Sequence, residues 1–324
     1  MRKNIYTDLA LEVKELYNEE KEELSGVSVE EFVENNVKVT EVKVLDENGE
    51  KSMGKPIGTY LTMEIPDFVH YDGETMDDTS KVVAKWLKPI VDMRKNKTAL
   101  VVGLGNWNVT PDAIGPKVIS KTMITRHLKE LVPDKIDEEI TPVCGITPGV
   151  LGLTGIETAE IIKGIVEKIK PDIIVAVDAL AARKMHRVNK TIQISTTGIS
   201  PGAGVGNARK ELNEKTIGVP VIAIGVPTVV HAATLANDTI DLAIDEMSKY
   251  ATEGSDFYNM LKNMDRNEKH RMINEILNPY VGNLMVTPKE VDVVTESMSK
   301  IIANAINISL QPALQLEDIN KFLN

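Results

Sequence analysis

The chain has 324 residues, is 42% hydrophobic and 26% charged, and carries a formal net charge of -11 at pH 7. Its length and apolar content are enough to bury a sizeable core, while its negative field repels phosphate backbones and no Lys/Arg run offsets it, which argues against direct nucleic-acid binding. One cysteine, Cys144, excludes an intrachain disulfide framework and a multi-thiolate zinc knuckle. The lack of an N-terminal h-region and of any run of about 18 apolar residues predicts a soluble, cytoplasmic protein with no membrane partner.

Along the chain, Leu9, Val13, Leu16 and Tyr17 follow helical spacing, with Thr7 or Asp8 as candidate N-cap. "VKVTEVKVLDENGE" and "TYLTMEI" read as two extended segments around a turn-rich stretch, a peripheral hairpin decorating the N-terminal part over residues 9–97. Thr75 to Lys95 reads as helix. From residue 98 the pattern becomes buried strands alternating with amphipathic helices. The strands are Ala99 to Gly103, Ile173 to Val177 and Val221 to Gly225, and the helices Ala113 to Leu131, Ile156 to Lys168 and Val230 to Tyr250. Short β-branched runs without polar alternation are expected of parallel strands covered on both faces, so the expectation is an α/β protein: a three-layer α/β/α core with a mostly parallel, doubly wound sheet over about residues 98–250. Residues 251–324 read as a C-terminal helical region, with Thr287, Pro288 and Glu290 starting its last long helix.

In such sheets, ligands gather beyond the carboxyl ends of the strands. Three segments reach that rim. Gly103-Leu104-Gly105-Asn106 closes the first core strand, and Thr110 (N-cap) and Pro111 (N1) open the next helix with Asp112 in its first turn. Five apolar residues, Ile173 to Val177, run straight into Asp178, and "IAIGVPT" precedes a helix bearing His231. The first segment is not a nucleotide cradle, because the sixth position of Gly-x-Gly-x-x-Gly is Asn108 and no Lys-Ser or Lys-Thr follows. Asp112 alone is explained equally well as a carboxylate favoured by the helix macrodipole. Asp178 is harder to explain as structure, since an aspartate directly after an apolar strand is costly to bury unless something uses it. His127, His70, His186 and His270 read as surface or packing residues, Cys144 as a buried structural thiol, and "PGAGVGN", Pro201 to Asn207, as a mobile or substrate-lining loop.

The segments "LVVGLGNWNVTPDAIGP", "TPGVLGLTGIET", "KPDIIVAVDALAARK", "ISPGAGVGN" and "GVPVIAIGVPTVV", in that order over roughly residues 98–240, resemble the germination protease family of spore-forming bacteria. "TDLALE", Thr7 to Glu12, resembles it too. The resemblance implies an endopeptidase of atypical aspartic type, made as a zymogen in the developing spore and tetrameric, whose substrates are small acid-soluble spore proteins and whose essential aspartates match Asp112 and Asp178. It places the protein in the forespore and spore core. Family substrates are cut after an acidic residue in a sequence similar to "TDLALE", which implies self-cleavage between Asp8 and Leu9, with residues 1–8 as propeptide ahead of a single peptidase domain, 9–324.

The fold is also similar to that of the hydrogenase maturation endopeptidases, which hold a metal with two strand-end acids and a histidine. No histidine occurs between Thr196 and Asn207, and His231 is the one nearby candidate, so no cofactor is expected. A metal-dependent peptidase using the same acids, or a noncatalytic peptide-binding module, is the alternative. The expected roles are Asp112 as base and Asp178 as acid sharing one proton, with the helix N-terminus favouring the Asp112 anion. Backbone N–H groups of Gly103, Leu104, Gly105 and Asn106 steady the oxyanion, Gly149, Gly202 and Gly204 line the substrate path, and His231 and Arg183 are possible auxiliaries. Arg183, Lys184, Arg209 and Lys210 are the basic residues near the rim loops.

Overall fold

In the computed structural model, residues 7–19, 25–66, 72–93, 97–206, 209–252 and 284–323 are described, with residues 255, 256, 259 and 275. Nine strands form one sheet: β1 (Val27–Glu34), β2 (Val37–Val44), β3 (Gly58–Glu64), β4 (Ala99–Gly103), β5 (Val143–Ile146), β6 (Ile173–Ala182), β7 (Thr191–Ser195), β8 (Val221–His231) and β9 (Met285–Val286). The order is β1-β2-β3-β7-β8-β6-β4-β5, with β9 beside β8. The pairs β5–β4, β4–β6 and β6–β8 are parallel, and every other pair is antiparallel.

Side chains alternate across a strand, and here both faces are dry. Leu100, Val102, Ile174 and Ala176 pack with Ile162 and Val166 of the helix Thr158–Ile169. Val101, Val175, Val177 and Ile224 face the other layer, the helices Gly73–Val91 and Val291–Leu310. This two-sided burial is why the parallel strands read as unbroken apolar runs. The helix Val291–Leu310 buries residues nearly all round and contacts Gly73–Val91 along its length. The C-terminal region therefore supplies one wall of the core.

Several sequence expectations change in detail. The N-terminal strands are three, not two, and they extend the main sheet, because β3 pairs with β7 from Tyr60↔Ser195 to Glu64↔Thr191. The turn-rich stretch between β2 and β3 folds as the short helix Glu47–Met53, capped by the Asp46 carboxylate on Asn48 and Gly49 N–H. The helix expected from Ala113 to Leu131 is broken into Ile114–Ile119 and Arg126–Leu131. A tertiary contact makes the break: the Asn307 Oδ1 of the C-terminal helix takes the Met123 N–H at 2.8 Å. Strands β6 and β8 run five and six residues beyond the expected ends at Val177 and Gly225. Most of the helix read from Asp256, along with His70, His270, Asn207 and Met1 to Tyr6, lies outside the described residues.

Candidate active site

The site begins with a turn that only glycine permits. Gly103 closes β4 against the following helix so tightly that a Cβ would sit 2.3 Å from Gly115 O. Gly105 has φ +108°, and a Cβ there would fall 2.0 Å from Asp112 O, so both backbone conformation and space demand glycine. The loop then folds back: Asn106 N–H donates to Asp112 Oδ2 at 2.8 Å and to Asp112 O at 3.1 Å. Leu104 N–H donates to Val177 O at 2.8 Å, which fastens the turn to β6 one residue before Asp178. Two amides expected to meet an oxyanion are thus already committed. Gly103 lies within the β4 ladder, and among the described residues Gly105 N–H has no acceptor and remains for that role.

Asp178 lies inside β6, opposite Gly225 of β8, and is 5% exposed. The strand continues past it because Ala179 to Ala182 are apolar and keep pairing with β8 across a bulge at Leu180/Ala181. Its Oδ1 accepts the Ala179 N–H at 2.9 Å. Burial, and then the negative charge of Asp112, push its carboxyl well above the ordinary carboxylate range. Asp112 is pushed up to about 6 by burial, against the pull of the Asn106 N–H. The expected stabilisation of the Asp112 anion by a helix N-terminus is not what sets its acidity: Asp112 ends a three-residue 3-10 turn, Thr110–Asp112, and the helix that follows has only six residues. Thr110 makes no side-chain cap there. Both carboxyls are raised, and two groups that feel each other's charge cannot both ionise cheaply.

Both acids open into one cleft of about 620 Å³. Leu104, Gly105, Asn106, Gly149, Gly202, Gly204 and Asp8 line it as well, together with Thr228 and Thr287, neither of which the sequence marked as a site residue. Thr287 donates to Thr228 O at 2.8 Å, and no local motif announces a pair 59 residues apart. Gly103, Leu9, Arg183 and His231 do not line the cleft. His231 ends β8 six residues beyond Gly225, roughly 20 Å along the strand at about 3.3 Å per residue. Arg183 reaches Asp238 at 3.4 Å, Lys184 pairs with Glu15 at 3.0 Å and Lys210 with Glu160 at 3.0 Å. Arg209 is the one basic residue on the cleft among those described. No three His, Cys, Asp or Glu side chains among the described residues converge as a metal ion would require, so those residues do not form the two-acids-and-histidine metal set.

The segment Thr7 to Glu12 docks beside this cleft. Thr7 Oγ1 accepts the Leu9 N–H at 3.1 Å and bonds to the Glu12 carboxylate. Buried Glu12 also takes the Arg183 N–H at 2.6 Å and the Lys184 N–H at 2.8 Å. Asp8 is no helix cap. Its carboxylate accepts the Ala181 N–H at 2.9 Å, and its carbonyl accepts from Lys55 Nζ at 2.8 Å and Gln193 Nε2 at 3.0 Å.

An α/β protein with two carboxyl groups in one cleft, one pushed up to about 6 and the other raised well above the ordinary carboxylate range, is the class that fold and cleft define. The sequence profile of the Peptidase_A25 family, described as germination protease, matches residues 6–261 and 250–323. A germination protease of Clostridium tetani is 65% identical over 99% of this chain and 100% of its own, and one of Clostridium perfringens 62% over 99% of each. A Bacillus mycoides germination protease is 41% identical over 98% of this chain and 97% of its own. The chain belongs to the germination protease family, and is a peptidase on that ground. The solved hydrogenase maturation protease HycI of Thermococcus kodakarensis aligns with 60% of this chain and 99% of its own at 18% identity, with a TM-score of 0.28, too low to carry an argument.

Proposed function

We propose that the chain is an aspartic-type endopeptidase of spore germination that cleaves small acid-soluble spore proteins with Asp112 and Asp178. The observation that carries this reading is the split acidity of the two groups in one cleft: Asp112 is pushed to about 6 and Asp178 well above the carboxylate range. At neutral pH the Asp112 carboxylate takes a proton from water as its oxygen adds to the scissile carbonyl carbon. Asp178 donates its proton to the carbonyl oxygen, and Gly105 N–H faces the same developing charge. Collapse of the tetrahedral adduct returns that proton to Asp178 and passes the Asp112 proton to the leaving nitrogen, so both groups end as they began.

The chain acts as a homotetramer in the spore core and is made as a zymogen, with residues 1–8 removed at the Asp8–Leu9 bond. In the present arrangement that bond is clamped, its carbonyl held by Lys55 and Gln193 and Leu9 fully buried. Processing therefore follows a lifting of the segment off Gln193 and Ala181. The test is incubation of the purified, activated protein with a small acid-soluble spore protein. A few discrete fragments are expected, with activated material beginning at Leu9. An undigested substrate, with intact protein bound to it, would instead make the chain a peptide-binding module.

A further inference from the structure

The Asp8 carboxylate occupies a receptor that the fold builds for it. Oδ2 accepts the Ala181 N–H at 2.9 Å, and the Gly204 N–H binds the same carboxylate. Ala181 stands on β6 three residues after Asp178, so the receptor and the proposed catalytic acid share one strand. Gly204 approaches the carboxylate so closely that a Cβ there would lie 2.0 Å from Asp8 Oδ2 and push it out of place. Asp8 and Gly204 both line the cleft that holds Asp112 and Asp178. No side-chain cation among the described residues lies within ion-pair distance of this carboxylate, but the buried Lys55 ammonium, bonded to the Asp8 carbonyl at 2.8 Å, acts on it through its charge. The hydrogen-bond donors of the receptor are two amides, and burial still holds the Asp8 carboxyl above its ordinary range.

Anchoring the N-terminal segment does not account for it. Glu12 already ties the segment to the same strand end through the Arg183 and Lys184 N–H groups, and Gln193 holds it through the Ala10 N–H at 2.7 Å and the Asp8 carbonyl at 3.0 Å. Asp8, by contrast, sends its side chain into the cleft. We propose that the Ala181 and Gly204 N–H groups form the subsite that reads a carboxylate side chain on the polypeptide to be cut, and that Asp8 fills this subsite from within the chain. Two backbone amides beside the buried Lys55 charge, rather than Arg183, Lys184, Arg209 or Lys210, thus select the acidic residue, and an incoming acid must displace Asp8 before it is held. This rests on the peptidase reading for the identity of the incoming chain, though the carboxylate receptor itself is independent of it.

The test uses the full chain. In Asp8→Ala the receptor is vacated while the rest of the segment stays anchored, and 100 mM acetate is expected to raise its melting temperature above that in acetamide or chloride of matched ionic strength. Wild type, with the receptor filled, shows no such difference, and Gly204→Ala added to Asp8→Ala abolishes it. Equal responses to acetate and acetamide in Asp8→Ala would overturn the receptor; Asp8→Gly provides a second vacated variant should the first be poorly folded. Cleavage of peptide pairs differing only in Glu or Gln at one position then reads specificity. The expected preference for Glu is about tenfold to a hundredfold in kcat/KM, the range of a charged hydrogen bond, and Gly204→Ala brings it towards unity mainly through KM. A preference that survives Gly204→Ala but collapses in Arg209→Gln overturns the subsite and leaves the peptidase standing. Acetate rescue with no peptide cut by any protein bearing both Asp112 and Asp178 overturns the peptidase reading and leaves the receptor standing.

Discussion

The turn after β4 and the middle of β6 each present one aspartate to the same cleft, yet they treat it differently. Asp112 sits on a partly exposed loop and keeps one amide partner from across the turn, Asn106. Asp178 sits in a strand buried on both sides, and its carboxylate takes the amide of the very next residue, Ala179. Solvation and donors set how readily each carboxyl ionises, so identical residues acquire the different surroundings that the proposed base and acid need. The contrast teaches that such a difference comes from backbone placement rather than from residue choice.

The largest break in that contrast is to remove either proton-carrying group while keeping its shape. Asp178→Asn and Asp112→Asn are each expected to lower kcat at least about 10³-fold, measured as release of fragments from a spore-protein substrate with the fold checked by circular dichroism. Retention of a tenth of wild-type activity by either variant would remove that residue from the mechanism. The same substitution sharpens the contrast through stability. Burial pushes Asp112 up to about 6 from its ordinary 3.8, so burying it as an anion is unfavourable. Its contribution to stability is full below about pH 4 and is lost as pH rises through about 6. Asp112→Asn is therefore expected to be more stable than wild type at pH 7 by up to about 3 kcal/mol, at 1.36 kcal/mol per pKa unit. The gain disappears near pH 4, as thermal melts across that range would reveal; a constant difference at all pH values would contradict it.

Gly105→Ala attacks the turn alone. The added Cβ meets Asp112 O at 2.0 Å in a left-handed backbone region, and the displaced carboxylate is expected to cost about 10²-fold in kcat. The pH profile follows with a smaller effect. Activity falls about tenfold from pH 7 to pH 5 as Asp112 takes a proton, and it declines again at the alkaline end as Asp178 loses its own. Smallest of all is His231→Gln, expected to change kcat/KM by less than about twofold, because its strand position lies far from Asp178 along β8; a loss of 10²-fold would return His231 to the site.

The parallel half of the fold was legible because burial on two faces writes an unmistakable signature, as in Ala99 to Gly103 and Ile173 to Val177. The two acids were legible as well, since each interrupts an apolar or glycine-rich pattern at a strand-to-loop step. Less was visible where pairing is long-range. Nothing local in Tyr60 to Glu64 says that it adds to β7, and nothing in Thr228 or Thr287 says that they meet beside the cleft. The reach of β6 past Asp178 was not legible because an aspartate reads as a strand end, whereas a buried carboxyl that takes an amide donor stays in the ladder.

By itself the sequence determined the alternation of strand and helix, the glycine-dependent turn and the two aspartates, because periodicity, steric freedom and desolvation act over a few neighbouring residues. Tertiary structure alone decided that Asp112 lies over β6, that Asp8 reaches Ala181 and Gly204 across more than 170 residues, and that Asn307 breaks a helix at Met123. Those outcomes depend on which surfaces meet when the sheet twists and closes its two helical layers, and one amide donor moved across the fold is enough to change which carboxyl holds a proton.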